Sequence, residues 1–176
     1  MEVTNMLSLI LPSYNVAPYI VECLESALNQ TLRDIEIICV DARSDDGTLE
    51  LLKEYKIRSE EGVWPGKRIE LLVSDKRSYG YQVNVALQRA MGKYVAILET
   101  DDFVVSHMYE RLVQLSEELQ LDYIRGEYDY FTTEEDGSRQ FRHVHHYAPV
   151  NEVLTDVRSE YIMTYDQNLW KGIYRK

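Results

Sequence analysis

The chain has 176 residues, of which 45% are hydrophobic and 28% charged, and its net charge is −11 at pH 7. This composition supports one domain with a sizeable core and excludes an intrinsically disordered chain. The negative charge argues against nucleic acid as a partner, because non-specific binding to phosphates needs clustered Lys and Arg. No stretch approaches the roughly 18 to 20 apolar residues of a membrane span. Cys23 and Cys39 lack the spacing of metal or redox sites, so we expect core thiols.

Residues 7–119 alternate short apolar runs with stretches of helical periodicity. The runs predict strands at Leu7–Leu11, Ile35–Val40, Ile69–Val73 and Tyr94–Leu98. A predicted helix follows each strand. The apolar residues of the first helix are Ile20, Leu24, Ala27 and Leu28, and those of the second are Leu49, Leu52 and Tyr55. The third helix has Val83, Leu87, Ala90 and Met91, and the fourth has Met108, Leu112, Leu115 and Leu119. We expect Gly92 to cap the end of the third helix, Ser106 to cap the start of the fourth, and residues 58–68 to form a loop. This alternation predicts an α/β fold with a mostly parallel sheet and helices on both faces.

The sequence after residue 122 has a different character. The segments Tyr123–Phe131 and Arg139–Tyr147 flank Asp136-Gly137, a pair typical of hairpin turns, so we expect a small antiparallel addition. Residues 151–164 carry apolar side chains at helical spacing. The segment Trp170–Lys176 is aromatic and apolar, and we interpret an end inside such a segment as a sign of a longer protein.

Three acids, Glu99, Asp101 and Asp102, follow the fourth predicted strand directly. In open α/β sheets ligands bind outside the carboxyl ends of the strands, and carboxylates at this spacing suit Mg²⁺ or Mn²⁺ carrying a phosphate. The alternative is that these acids only cap the next helix. Their spacing taken by itself favours the capping interpretation.

Three other loops are expected at the same edge, because each joins the end of a parallel strand to the following helix. They run over Pro12–Asn15, Asp41–Thr48 and Lys76–Asn84. The loops offer an aromatic ring in Tyr14 and cations in Lys76 and Arg77. Their hydrogen-bonding side chains are Asn15, Asp41, Gln82 and Asn84. With the three acids, this set suits a nucleoside diphosphate and its metal. For any loop considered singly a structural role is favoured, with Asp46 as a helix cap and Tyr14 as a packing residue.

Several common ligand-binding motifs are missing from the sequence. The loop Pro12–Asn15 has no glycine for the dinucleotide fingerprint, and no P-loop or Gly-x-Ser-x-Gly elbow occurs. A nucleotidyltransferase is disfavoured for the same reason, since its glycine-rich loop after the first strand is absent.

The four loops, in this order, resemble a family 2 glycosyltransferase with the GT-A fold. The matching stretches are Leu11–Asn15, Val40–Thr48, Gly80–Asn84 with Ala90–Tyr94, and Leu98–Asp102; Trp170–Arg175 is similar to a late segment of bacterial members. The resemblance covers about residues 6–125. It implies a single Rossmann-like GT-A domain over residues 1–176, with 6–125 as the donor-binding core and 126–176 as the start of an acceptor-side region.

The resemblance implies sugar transfer from a nucleotide-sugar donor to a saccharide or lipid-linked acceptor, with inversion, in bacterial polysaccharide or glycolipid synthesis. Glu99-Thr100-Asp101 would be the family's Asp-x-Asp motif, with Asp101 and Glu99 on Mn²⁺ or Mg²⁺ and Asp101 and Asp102 in catalysis. The residues bordering the donor would be Pro12, Tyr14, Asn15, Asp41, Lys76, Gly80, Gln82, Asn84 and Glu99. The family also implies a cytoplasmic protein that can associate peripherally with the inner face of the membrane.

Three departures from the family pattern qualify these expectations. Ala42 stands where the family usually has a second acid after strand 2, which weakens the case for a UDP-linked donor. Glu99 replaces the first Asp of the motif and lengthens the side chain by one methylene. The family's general base normally follows at a point further along than residue 176. The alternative of a non-catalytic nucleotide-sugar-binding module of a polysaccharide-biosynthesis system therefore stays open.

Overall fold

A computed structural model describes residues 6–143 and 171–176. Its strands are β1 (Leu7–Ser13), β2 (Ile35–Asp41), β3 (Lys67–Val73), β4 (Tyr94–Ile97), β5 (Tyr123–Arg125), β6 (Asp129–Thr133), β7 (Arg139–His143) and β8 (Gly172–Arg175). Its helices are α1 (Ala17–Leu28), α2 (Thr48–Glu60), α3 (Tyr79–Leu87) and α4 (Met108–Leu119). These elements alternate in the order that the apolar periodicity predicts.

The main sheet has the strand order β3-β2-β1-β4-β8-β5. Strands β1 to β4 are parallel, whereas β8 runs antiparallel to both of its neighbours. Strands β6 and β7 form a separate antiparallel pair around a turn at Gly137, whose φ of 82° suits glycine. The predicted α/β fold, with a mostly parallel sheet and a small antiparallel addition, is confirmed.

Alternating side chains of the central strands pack against helices on the two faces of the sheet. Leu7, Leu9 and Leu11 of β1 belong to a core shared with α1, α2 and α4, whereas Ile10 belongs to a second core shared with α3. Both β1 and β2 are buried along their whole length, as expected for strands covered on both faces. The burial of β1 and β2 therefore extends to their carboxyl ends at Ser13 and Asp41.

The third helix ends earlier than its apolar period predicts. It stops at Leu87, and Leu87 and Met91 are 39% and 55% exposed rather than buried. The backbone N–H groups of Met91 and Gly92 instead donate to the carboxylate of Glu36, 2.5 and 3.0 Å away. The prediction of Gly92 as a helix cap is therefore wrong, because a distant buried side chain takes over these donors.

Other boundaries also differ from the predictions. Helix α2 extends to Glu60 and β3 begins at Lys67, so the loop predicted over 58–68 is shorter. Helix α4 begins after His107 without a side-chain cap, so Ser106 does not cap it, and Leu119 at its end is exposed.

The carboxyl-terminal half also departs from the expected two-segment pattern. The segment Tyr123–Phe131 divides around Gly126 into β5, which joins the main sheet, and β6, which joins the hairpin. The predicted helix at 151–164, the segment beyond His143 and Trp170 lie outside the described residues.

Candidate active site

The loops that follow β1 and β2 are joined by hydrogen bonds at the carboxyl edge of the sheet. The side chain of Asn15 donates to Asp45 over 2.9 Å and accepts from the Asp45 N–H over 3.1 Å. The Asn15 N–H also donates to Ser44 Oγ over 2.9 Å. Asn15 has a φ of 51°, a conformation that asparagine tolerates better than most residues. Its amide therefore serves to hold the two loops together.

Asp41 and Asp46 also anchor these loops. Asp41 is fully buried, and it accepts hydrogen bonds from the N–H and the hydroxyl of Ser44 over 2.8 and 2.6 Å and from Ser13 Oγ over 3.3 Å. Asp46 accepts from the N–H of Thr48 and that of Ala17, near the starts of α2 and α1. The carboxylate of Asp41, a predicted donor-binding group, is therefore already occupied by the protein.

The loop after β3 and the helix α3 approach the same edge. The guanidinium of Arg77 lies 4.5 Å from the centre of the Tyr14 ring, a cation–π contact between the first and third loops. Gln82 is buried, and its Nε2 donates to the carbonyls of Ser13 and Val40 over 2.8 and 2.6 Å. Gln82 thus ties α3 to the ends of β1 and β2 through its amide nitrogen.

The remaining predicted donor-binding residues lie around this edge. Pro12 is buried at the end of β1, and its carbonyl accepts from Thr100 Oγ1 over 3.1 Å. Lys76 is exposed and lies 4.5 Å from the centre of the Tyr81 ring. Gly80 lies in the first turn of α3, where a Cβ would meet nothing within 4 Å, and Asn84 is exposed further along that helix; these two positions therefore border open space.

The three acids form one cluster at the end of β4. A ligand oxygen from each of Glu99, Asp101 and Asp102 lies within 4.8 Å of the others. A turn closed by the Asp102 N–H on the Glu99 carbonyl, 3.0 Å apart, holds them together. Helix α4 begins only at Met108 and has no side-chain cap, so the capping interpretation of the three acids is wrong.

The electrostatics of this cluster disfavour three negative charges. Burial, together with the charges of Asp102 and Asp101, raises the pKa of Glu99, and burial together with Asp101 raises the pKa of Asp102. The neighbouring Tyr79 hydroxyl acts in the opposite direction on the pKa of Glu99. A divalent cation would relieve this repulsion, and carboxylate oxygens are the ligands that Mg²⁺ and Mn²⁺ prefer. The residues therefore fit such a cation.

Two features of the site escape prediction from the sequence. Tyr79, the first residue of α3, reaches Glu99, and burial together with the charge of Glu99 raises the pKa of Tyr79 to about 12. The β6–β7 hairpin packs on Phe103, which directly follows the acids. The centre of the Phe103 ring lies 5.4 Å from that of Phe131 and 6.5 Å from that of Phe141. Tyr79 could have been found from its place at the start of a helix on the ligand edge, whereas the hairpin contact leaves no local signal.

Residues 8–173 match the family model described as glycosyl transferase family 2. The chain belongs to this family. It is 35% identical over 119 residues to the uncharacterized glycosyltransferase EpsJ of Bacillus subtilis, which covers 68% of this chain and 33% of EpsJ. It is 37% identical over 122 residues to poly(ribitol-phosphate) beta-glucosyltransferase of Bacillus spizizenii, which covers 68% of this chain and 18% of that protein.

A solved structure has the same fold. S. aureus TarS 1-349, in complex with UDP-GlcNAc, superposes with a TM-score of 0.70 at 24% identity, over 96% of this chain and 45% of that chain. This likeness confirms the GT-A fold. The chain spans less than half the length of each of these three proteins. Among the residues that the structure describes, no helix is long and apolar enough to cross a membrane.

Proposed function

We propose that this chain is the donor-binding part of a metal-dependent glycosyltransferase. It would transfer a sugar from a nucleoside-diphosphate sugar to a saccharide or lipid-linked acceptor, with inversion at the sugar carbon. The observation that carries the proposal is the cluster of Glu99, Asp101 and Asp102, held at the ligand edge of a family 2 fold. The family and the name of the poly(ribitol-phosphate) relative support a role in bacterial surface-polymer synthesis.

Asp101 and Glu99 would hold Mn²⁺ or Mg²⁺, which supplies Lewis-acid stabilisation of the departing diphosphate. Asp101 is the exposed member of the cluster and therefore the most accessible ligand. Asp102, half-buried beside it, completes the negative site. The cations of Lys76 and Arg77 lie on the neighbouring loop, where they can bind the remaining negative charge of the diphosphate.

The ring of Tyr14 supplies the flat surface that a nucleobase needs. Arg77 already covers this ring, so a base would stack there together with, or in place of, the guanidinium. Asp41 and Gln82 support this region from below through the contacts that fix the loops, and Pro12, Asn15, Gly80 and Asn84 would form its border. With Ala42 buried and Asp41 occupied, the base is not read by a free acid after β2.

We assign residues 6–125 to donor binding and residues 126–176 to the start of the acceptor side. The packing of the β6–β7 hairpin on Phe103, next to Asp102, supports this assignment because it brings the later segment beside the metal site. An inverting transfer needs a carboxylate that takes the proton of the acceptor hydroxyl. We assign this base to none of the described residues. Cytoplasmic nucleotide sugars and a lipid-linked acceptor would place the reaction at the inner face of the membrane.

Titration calorimetry of nucleoside diphosphates with the purified chain tests the proposal. We expect binding in Mn²⁺ that weakens at least about tenfold when EDTA replaces the metal, because metal and diphosphate bind together. Asp101→Ala should lose this metal dependence, whereas Glu50→Ala, which removes an exposed acid of α2, should keep it. Binding that is unchanged by EDTA and by Asp101→Ala would refute the metal site. Failure of every nucleoside diphosphate to bind would refute the donor site.

A non-catalytic binding module is the second candidate, and the occupied carboxylate of Asp41 beside Ala42 favours it. Release of nucleoside diphosphate from a bound nucleotide sugar separates the two candidates. The full-length protein is used, because the base is assigned to none of the described residues. A full-length transferase hydrolyses its donor slowly when water replaces the acceptor, whereas a module binds the nucleotide sugar and releases nothing.

A further inference from the structure

The β6–β7 hairpin is fastened to α1 by an ion pair with two hydrogen bonds. Nη1 of Arg139 donates to Oε1 of Glu22 over 2.5 Å, and Nη2 donates to Oε2 over 2.6 Å. Two parallel hydrogen bonds from a planar guanidinium to a carboxylate fix the orientation of the two groups as well as their distance. The two residues are 117 positions apart in the sequence, so this pair holds a late segment of the chain on its first helix.

Arg139 also contacts the aromatic cluster that joins the hairpin to the loop after the three acids. The centre of its guanidinium lies 5.1 Å from the centre of the Phe103 ring and 4.8 Å from that of Phe131. Phe131 pairs with Phe141 across the hairpin, and Arg139 lies two residues before Phe141, so all three side chains project from the same face. A cation over two aromatic rings attracts both. Arg139 therefore holds Phe103 against the hairpin while Glu22 holds Arg139 on α1.

Helix α1 also holds the loop that runs from the acids to α4. Ser26 Oγ accepts a hydrogen bond from the Val104 N–H over 3.2 Å, and Gln30 Nε2, just after the end of the helix, donates to the Val105 carbonyl over 2.8 Å. Glu22 and Ser26 are four residues apart, so they lie on one face of α1. The hairpin and the loop are therefore attached to neighbouring positions of the same helix.

The ring that Arg139 holds belongs to the residue next to Asp102. A carboxylate oxygen of Asp102 and one from each of the other two acids lie within 4.8 Å of one another, so their charges repel. Contacts outside the cluster must oppose this repulsion before a cation binds. Phe103 supplies such a contact from the side of the hairpin, since a movement of its ring would turn the backbone that also carries Asp102.

We propose that Arg139 is a positioning residue of the metal site: paired with Glu22, it holds Phe103, and through Phe103 it keeps the Asp102 carboxylate beside the other two acids. This inference rests on the proposed function, because it assumes that the three acids bind a divalent cation. It gives the hairpin a second role besides its place at the start of the acceptor side. Outer contacts of this kind orient the ligands of a metal without touching the metal itself.

Titration calorimetry of the purified chain with Mn²⁺ alone tests this inference. Arg139→Ala and Glu22→Ala should each weaken Mn²⁺ binding about threefold to fivefold, because the effect cannot exceed the strength of one exposed ion pair. The double variant should lose no more than either single variant, since both changes undo the same attachment. By charge alone, the loss of the Arg139 cation near three acids would strengthen Mn²⁺ binding, so a weaker affinity requires the positioning role.

Lys93→Ala is the matched control. Lys93 likewise pairs with a carboxylate, that of Glu117, over 2.6 Å, and it lies 5.8 Å from the centre of the Tyr94 ring. This pair lies at the start of β4, at the opposite end of the strand from the acids, so the Mn²⁺ affinity of the control should equal that of the wild type. The thermal unfolding midpoint of each variant shows whether it is folded, and Glu22→Ala tests the same attachment if Arg139→Ala fails to fold.

The outcomes separate this inference from the function on which it rests. If the wild type binds Mn²⁺ and Arg139→Ala leaves the affinity unchanged or raises it, the positioning role is refuted and the metal site stands. Additive losses in the double variant, or an equal loss in Lys93→Ala, would also refute it, because the effect would then not depend on the attachment of the hairpin to α1. If the wild type fails to bind Mn²⁺, the inference and the metal dependence fall together.

Discussion

Glu36 is a fully buried carboxylate at the amino end of β2, at the sheet edge opposite the three acids. Its Oε1 accepts hydrogen bonds from Ser8 Oγ over 2.5 Å and from the N–H groups of Met91 and Gly92 over 2.5 and 3.0 Å. Its Oε2 accepts from the half-exposed guanidinium of Arg68 over 2.8 Å. One side chain thus fixes β1, β2 and the turn that leads into β4.

Glu36→Ala should destabilise the fold by about 3 to 5 kcal/mol. The change leaves the Met91 N–H and the Ser8 hydroxyl without their acceptor, and each buried unsatisfied group costs about 1 to 3 kcal/mol. The Gly92 N–H keeps a second acceptor, Ser8 Oγ, over 2.7 Å. The guanidinium of Arg68 is open to solvent and can bind water when Glu36 is removed, so the loss of this ion pair adds little to the cost. Against a total stability of about 5 to 15 kcal/mol, this single change removes a large fraction.

Two further variants separate the hydrogen bonds of Glu36 from its ion pair. Glu36→Gln keeps an oxygen for the three donors and should cost less than Glu36→Ala. Arg68→Ala removes only a partly exposed partner and should cost about 1 kcal/mol or less. Urea titrations followed by circular dichroism give the free energy of unfolding of each of the three variants. At urea concentrations below the unfolding transition, nucleotide binding should be unchanged because the site lies at the other edge of the sheet. A loss for Arg68→Ala equal to that for Glu36→Ala would refute the reasoning, since the ion pair would then dominate.

Two further predictions concern the turn before β4 and the acid cluster. Gly92→Ala should cost about 1 to 3 kcal/mol in urea titrations, because its Cβ would lie 2.5 Å from the Ser8 N; Gly80→Ala, whose Cβ meets nothing, should cost nothing. The raised pKa values of Glu99 and Asp102 mean that the folded state holds these protons more tightly than the unfolded state. Without metal, these two groups should therefore add stability as the pH is lowered from 7 towards their ordinary pKa of about 4. Over this range the thermal midpoint of the wild type should rise relative to that of the double variant Glu99→Gln, Asp102→Asn. An unchanged slope in the double variant would contradict the assignment.

The fold follows from the sequence because parallel strands covered on both faces are continuous apolar runs. Tyr94 to Leu98 and Ile35 to Val40 stand out for this reason, and the helical period between them sets the alternation. The end of α3 could not be predicted in the same way. Ala90 and Met91 continue the apolar period, yet Glu36, which lies far away in the sequence, takes the N–H groups of residues 91 and 92.

The convergence of the loops could also be predicted, since parallel strands end at a common edge. The use of individual side chains could not. Asp41 and Gln82 are predicted to bind the donor, and the sequence does not show that the structure buries both: Asp41 accepts from Ser13 and Ser44, and Gln82 donates to the carbonyls of Ser13 and Val40. The insertion of β8 between β4 and β5 depends on pairing across a long stretch of chain, which local periodicity does not encode.

The hydrogen-bond partners of the acids distinguish structural carboxylates from ligand-binding ones. Glu36 and Asp41 are fully buried, and each is surrounded by donors from the protein that compensate its charge. Glu99, Asp101 and Asp102 instead lie close to one another at the ligand edge. A cluster of this kind is stable only with raised pKa values or with a bound cation. Carboxylates thus hold strands and loops together where the protein supplies the donors, as at Glu36 and Asp41, whereas the three clustered acids have the ligand chemistry that suits a divalent cation.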